Sequence, residues 1–134
     1  MYIGLDLGTS GVRALLVAPD GRVLHSAEAP VAVTHPHPGW SEQHPAGWIA
    51  AAAQTLRALA GIAPAEMAGL RGISLSGQMH GATLLDEAGQ VLRPCILWND
   101  TRSHAQAARL DAAPRVRDIS GNIVFPGFTA PKLA

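Results

Sequence analysis

Only one cysteine, Cys95, occurs in 134 residues. No disulfide can close within the chain, so a reducing compartment is expected. Charge of either sign is also sparse. Ten basic side chains balance ten acidic ones, giving a formal net charge of +0. No basic tract is present, which argues against a nucleic acid or an anionic membrane as partner. Long apolar runs are missing too. Met1 leads straight into a strand-like stretch, with no charged segment and apolar core of a leader. Neither secretion nor membrane insertion is expected, and the chain reads as cytoplasmic. What is there, 48% hydrophobic and 15% charged residues, suits one soluble globular domain of ordinary size.

The chain is organised around I-G-L-D-L-G-T-S-G at residues 3–11. Ile3, Leu5 and Leu7 alternate with Gly4 and Asp6, the period-two pattern of a strand with one buried face. Gly8 and Gly11 bracket Thr9 and Ser10, and glycines there allow positive φ and close approach of a ligand. A second β-run, V-R-A-L-L-V, follows at once. No helix opens after the glycines, which excludes the phosphate loop and the dinucleotide fingerprint, since both lead into a helix. The tip instead offers backbone N–H groups, two hydroxyls and one carboxylate. It suits a metal-bound polyphosphate: turn N–H groups hold anionic oxygens, and a carboxylate is a hard ligand for Mg²⁺ or its water shell. A purely structural β-turn is the alternative, because Asp and Gly favour turns anyway.

Further along, P-D-G at 19–21 marks a turn, and residues 22–31 read as a third antiparallel strand. Two successive hairpins make a meander. Residues 34–45 form a loop rich in His and Pro. His35, His37 and His44 fit no common zinc spacing and lack cysteine partners, so a surface loop pinned by Trp40 is expected. Pro45 opens a helix of about four turns. Trp48, Ile49, Ala52, Ala53, Leu56, Leu59 and Ala60 lie on its apolar stripe, and Gly61 is expected to end it. Residues 70–76 read as a buried central strand. It runs into G-Q-M-H-G at 77–81, then a strand at 82–85, a turn at 86–89 and a return at 90–93. C-I-L-W at 95–98 is one more strand-like run. A helix is expected over 103–110, capped by Asp100 or Thr101, and the tail opens towards a helix at Pro131, where the chain looks cut off.

Strand ends in such sheets gather polar groups and ligands. The candidates are Asp6 with Thr9 and Ser10, then Gln78, Met79 and His80, then Trp98, Asn99 and Asp100. Singly, each has a plainer explanation: a loop histidine, a packing methionine, a helix cap, or for Arg13 a solvated edge residue. Their recurrence at successive strand ends favours a site.

Taken together, the motifs are more specific. D-L-G-T-S-G-V-R, W-S-E-Q, G-Q-M-H-G-A-T-L-L-D, L-R-P-C-I-L-W-N-D-T-R, and S-G-N with F-P-G-F-T-A-P-K-L occur in that order. The chain resembles the N-terminal part of sugar kinases of the FGGY family, in its xylulose-kinase branch, from Met1 to Leu133. D-x-G-T-S is shared across actin-like ATPases, whereas Q-M-H-G and I-L-W-N-D point to that branch.

The resemblance implies an α/β fold, an actin-like (ribonuclease H-like) domain with a mixed sheet, antiparallel hairpins at its start and flanking helices. It implies ATP and Mg²⁺ as cofactors and transfer of the γ-phosphoryl group to the C5 hydroxyl of D-xylulose. Asp6 would help hold Mg²⁺, and Gly8, Thr9, Ser10 and Arg13 would face the phosphates. Gln78, Met79, His80, Trp98 and Asp100 would contact or line the sugar pocket. The general base is an Asp of a second domain, which this chain lacks together with the FGGY signature, so the chain by itself is expected to be inactive. Homodimerisation is compatible with the sequence. Two rival readings remain: an FGGY kinase for another ketose or polyol, and a non-catalytic actin-like module that binds sugar.

Overall fold

Alternating apolar residues in the first 31 positions build three strands, β1 (Tyr2–Leu7), β2 (Gly11–Val17) and β3 (Val23–Pro30). β1 pairs antiparallel with β2, and β2 with β3, which is the expected meander. Their buried set, Ile3, Leu5, Val12, Ala14, Leu16 and Ala29, forms one face. The computed structural model describes residues 1–134, and they fall into two compact units, one of Met1–Ala32 with Ala46–Gln78 and one of Val33–Pro45 with Met79–Ala134.

In the first unit the sheet is covered by α1 (Pro45–Ile62). Trp48, Ala51, Ala52, Leu56, Leu59 and Ala63 recur at helical spacing and pack on the buried face of the sheet. Complete burial of a side chain such as Leu59 contributes about 2 kcal/mol. Ile49, expected on this stripe, is 71% exposed. Gly61 does not end the helix. It sits in the last turn, and the break falls at Ala63, which leaves the helical region (φ −135°, ψ 60°) ahead of Pro64, because proline disfavours helical backbone in the residue before it. Pro64 then starts the short α2 (Pro64–Ala68).

β5 (Gly72–Gly77) completes the sheet in the order β3-β2-β1-β5, parallel to β1. The sequence suggested a buried central strand, but β5 is an edge. Ile73 and Leu75 pair with Ile3 and Leu5 and so share the core-side face, yet they are 51% and 70% exposed. An apolar run fits a strand covered on both faces. Here no helix of this unit reaches over it.

In the second unit, β4 (Glu42–Gln43) and β6 (Cys95–Ile96) form a two-stranded antiparallel sheet. Residues 95–98 therefore do not join the four-stranded sheet. The strands expected at 82–85 and 90–93 reduce to single bridges, Ala82 to Ile96 and Leu85 to Val91, because Leu84, Leu85 and Leu92 find no apolar surface and remain exposed. The helices α3 (His104–Asp111), α4 (Val116–Ser120) and α5 (Thr129–Leu133) follow. Neither Asp100 nor Thr101 caps α3. Ser103 occupies the cap position without a side-chain bond. No helix of the chain is long and apolar enough to cross a membrane.

Candidate functional site

In the first unit the candidate residues gather at the β1–β2 tip. The Gly8 N–H donates to the Gly11 carbonyl at 2.9 Å and closes the turn. Neither glycine adopts positive φ. Gly11 is needed for a different reason: a Cβ there would lie 2.6 Å from the Ala29 carbonyl oxygen on β3. Because β5 runs parallel to β1, its end delivers Gln78 beside the tip. The Gln78 N–H donates to the Leu7 carbonyl at 3.0 Å, and the Thr9 hydroxyl lies 3.4 Å from Gln78 Oε1.

One polar row crosses all four strands on the face opposite the core. Ser76, Asp6, Arg13 and Glu28 are register partners in turn. The Ser76 hydroxyl donates to Asp6 Oδ1, and Arg13 Nε donates to Glu28 Oε1 at 2.6 Å. A cleft of about 380 Å³ opens here, lined by Asp6, Gly8, Ser10, Arg13 and Glu28 among others. Two carboxylates against one guanidinium leave its lining net negative. Such a lining attracts a cation, or an anion that brings its own cation, more readily than a bare phosphate. Asp6 is exposed. One exposed carboxylate fits Mg²⁺, which keeps much of its water and takes its remaining oxygens from substrate phosphates.

The second unit carries Met79, His80, Trp98 and Asp100. Met79 is 58% and Trp98 46% exposed, so both offer apolar surface for a ligand. His80 is exposed and has φ +61°, in the left-handed region that a non-glycine residue seldom enters. Asp100 differs from these three, being 1% exposed. Its Oδ2 accepts the Ser41 N–H at 2.7 Å and an Arg102 Nη2 bond at 2.7 Å, and its Oδ1 accepts the Arg102 N–H at 2.8 Å. Burial pushes its carboxyl pKa up, but the bonds from Arg102 and Ser41 prevail and hold it below the usual carboxylate range.

Sequence reasoning missed the partners of this carboxylate. Arg102 Nη1 donates to Glu42 Oε1 at 2.7 Å, Arg93 Nη2 reaches the same oxygen at 2.7 Å, and the Arg102 guanidinium lies 3.6 Å above the Trp40 ring. Burial lowers the Arg102 pKa, but Asp100 and Glu42 outweigh it and raise the value. The cluster fixes the turn 97–101, in which the Asp100 N–H donates to the Leu97 carbonyl and the Leu97 N–H to Ser41, and so it fixes the backbone that carries Trp98 and Asn99. W-S-E-Q and N-D-T-R were the available signals, but nothing in their spacing says that Glu42 and Arg102 meet. His35 and His37 line a separate cavity of about 520 Å³ with Trp40 and Asn99, and His37 stacks edge-on against Trp40 at 4.5 Å.

Comparison with known proteins extends these observations. Residues 1–134 match the model of the N-terminal domain of the FGGY family of carbohydrate kinases. A xylulose kinase of Klebsiella pneumoniae is 49% identical over 134 residues, which is 99% of this chain and 27% of the relative. One from Escherichia coli K12 is 46% identical over the same shares. The crystal structure of a xyloylose kinase from Brucella ovis superposes with a TM-score of 0.97 at 61% identity, over 98% of this chain and 27% of that one. The chain thus spans about a quarter of the length of these relatives, and its fold is the actin-like α/β fold that the motifs implied.

Proposed function

The chain belongs to the FGGY family of carbohydrate kinases, and on that premise we propose that it is the N-terminal portion of an ATP-dependent xylulose kinase. The whole polypeptide would convert D-xylulose to D-xylulose 5-phosphate in the cytoplasm. What carries this reading is a similarity of 46–49% to xylulose kinases over essentially all of the chain.

The tip of β1–β2 is the phosphate side. Asp6 holds Mg²⁺ or its water shell, and Gly8, Thr9, Ser10 and Arg13 face the phosphates. When bound, Mg²⁺ neutralises charge that develops on the transferring phosphoryl group. Arg13 is already paired with Glu28, so its part is to set the charge of the cleft and not to clamp a phosphate by itself. Met79, His80 and Trp98 are the sugar side, with Gln78 at the end of β5. Imidazole and indole nitrogens suit sugar hydroxyls, and the Trp98 face and Met79 suit the apolar face of a sugar carbon chain. Asp100 contributes through the turn it anchors, because both of its oxygens are engaged inside the unit.

Phosphoryl transfer relies on positioning both reactants and stabilising charge. The residues described supply contacts for the sugar and the phosphates, and an aspartate base is expected on the remainder of the polypeptide. The test is release of ADP in the presence of Mg²⁺, ATP and D-xylulose. The folded 134-residue chain should release none, and the longer polypeptide should release ADP only with the ketose. Sugar-dependent ADP from the chain alone would put the base within it, with Asp100 and Asp86 the first residues to substitute. A longer polypeptide that ignores D-xylulose and turns over a polyol would refute the substrate assignment.

A further inference from the structure

Residues 125–132 touch both loops that carry the proposed sugar contacts. Lys132 Nζ donates to the His80 carbonyl oxygen at 2.7 Å, and the Thr129 hydroxyl donates to the same oxygen at 3.3 Å. The Phe128 ring lies against the His80 imidazole, with centroids 4.6 Å apart and planes 32° apart. Phe125 backs Phe128 edge-on at 5.5 Å, and the Phe128 N–H closes the turn onto the Phe125 carbonyl at 3.0 Å. Gly127 makes the third contact. A Cβ at this position would lie 2.0 Å from the Trp98 carbonyl oxygen and 3.1 Å from its carbonyl carbon, so only glycine lets this backbone close on Trp98.

These contacts meet a strained residue. His80 has φ +61°, a conformation that side chains resist and that persists only where the surroundings hold it. Two donors on its carbonyl and an aromatic ring on its imidazole do so. The neighbouring Gly81 is itself closely packed, since a Cβ there would lie 3.0 Å from the buried Cys95 sulfur. Lys132 spends its ammonium group on a backbone oxygen in a half-buried setting, where burial lowers its pKa. A lysine kept only for solubility has no reason to accept that environment.

We propose that residues 125–132 are a brace that positions His80 and Trp98 for the sugar, with Lys132 acting through His80 and Gly127 acting through Trp98. Neither is assigned a contact with the substrate. The proposal rests on the sugar-side reading above, and it makes the affinity for a ketose depend on a lysine that does not touch it.

The experiment combines NMR and D-xylulose titration of the 134-residue chain and its Lys132→Met, Lys132→Arg and Thr129→Val variants. The His80 carbonyl carbon reports the brace directly, and the titration reports the sugar. Lys132→Met should move the His80 carbonyl and ring signals and weaken D-xylulose binding about tenfold, the size of one lost charge-assisted hydrogen bond. Lys132→Arg, which keeps a charged donor, should recover most of that loss, and Thr129→Val should give a smaller change in the same direction. A residue serving stability alone would lower the unfolding midpoint and leave the affinity of the folded fraction untouched. Lys132→Met with wild-type His80 signals and wild-type affinity would overturn the proposal. Should that variant not fold, unchanged signals and affinity in Thr129→Val would overturn it equally. If His80 responds as expected but the wild-type chain binds no D-xylulose, the sugar reading fails while the brace geometry stands.

Discussion

Arg102 has the most demanding environment of any single residue. Its guanidinium joins Asp100 and Glu42, both nearly inaccessible to solvent, and covers the Trp40 ring. Removing one partner of a buried ionic group leaves the others uncompensated. Arg102→Met should therefore cost about 3 kcal/mol or more in urea denaturation. Arg102→Lys should recover little of this, because an ammonium cannot span two carboxylates and stack on an indole. Asp100 gives the group a pH signature. Its pKa is lower folded than unfolded, so its stabilising contribution is complete above the unfolded value of about 4 and is lost as pH falls through the folded one. Denaturation midpoints should hold from neutral pH to about 4 and then drop, and Asp100→Asn should flatten that drop. At this scale the sequence was only half legible. Met79 and His80 stood out between glycines, and Trp98 at the end of an apolar run. The pairing of Glu42 with Arg102 did not, because a contact across 60 positions leaves no mark in local spacing.

Among the elements, the meander and α1 follow from periodicity. Leu59 lies at the centre of the α1–sheet contact and is fully buried, whereas Ile49 on the same helix is 71% exposed. Leu59→Ala should cost about 2–5 kcal/mol by transfer loss and cavity formation. Ile49→Ala should stay within about 0.5 kcal/mol, as surface substitutions do. Paired denaturation curves of the two variants check both numbers. Period-two patterns were trustworthy where a helix covers one face. The short runs A-T-L-L at 82–85 and Q-V-L-R at 90–93 carry no such alternation, and with Leu84, Leu85 and Leu92 exposed the ladder there reduces to isolated bridges. Within the apolar run 95–98, Cys95 and Ile96 form a strand as expected, but nothing in the sequence named its partner. Its actual partner, Glu42–Gln43, is only two residues long and lies inside a loop rich in proline and histidine.

For the whole molecule, the exposed edge strand has the most direct consequence. β5 presents Ile73 and Leu75 to solvent beside an unpaired backbone edge, and G-I-S-L-S-G contains neither charge nor proline to discourage pairing. The 134-residue chain should associate with rising concentration in sedimentation velocity, and Leu75→Lys should shift it towards monomer. An unchanged sedimentation coefficient across concentrations would contradict this. The fold class was legible through the family resemblance that the motifs carry together, whereas strand, tip and strand at 3–17 alone left a plain β-turn open. The division into two units was not, because it depends on which strands find partners and not on any boundary in composition.

The proposed sugar contacts at His80 and Trp98 can be tested on the chain itself. The most direct measurement is a D-xylulose titration of the folded chain, followed by NMR at the Trp98 indole N–H and the His80 ring. Saturable shifts are expected at both residues with a dissociation constant of about 1 mM, a free energy near −4 kcal/mol, and they should be lost in His80→Ala. Signals at Trp98 and His80 that do not move at tens of millimolar sugar, about tenfold above that constant, would contradict the proposed contacts.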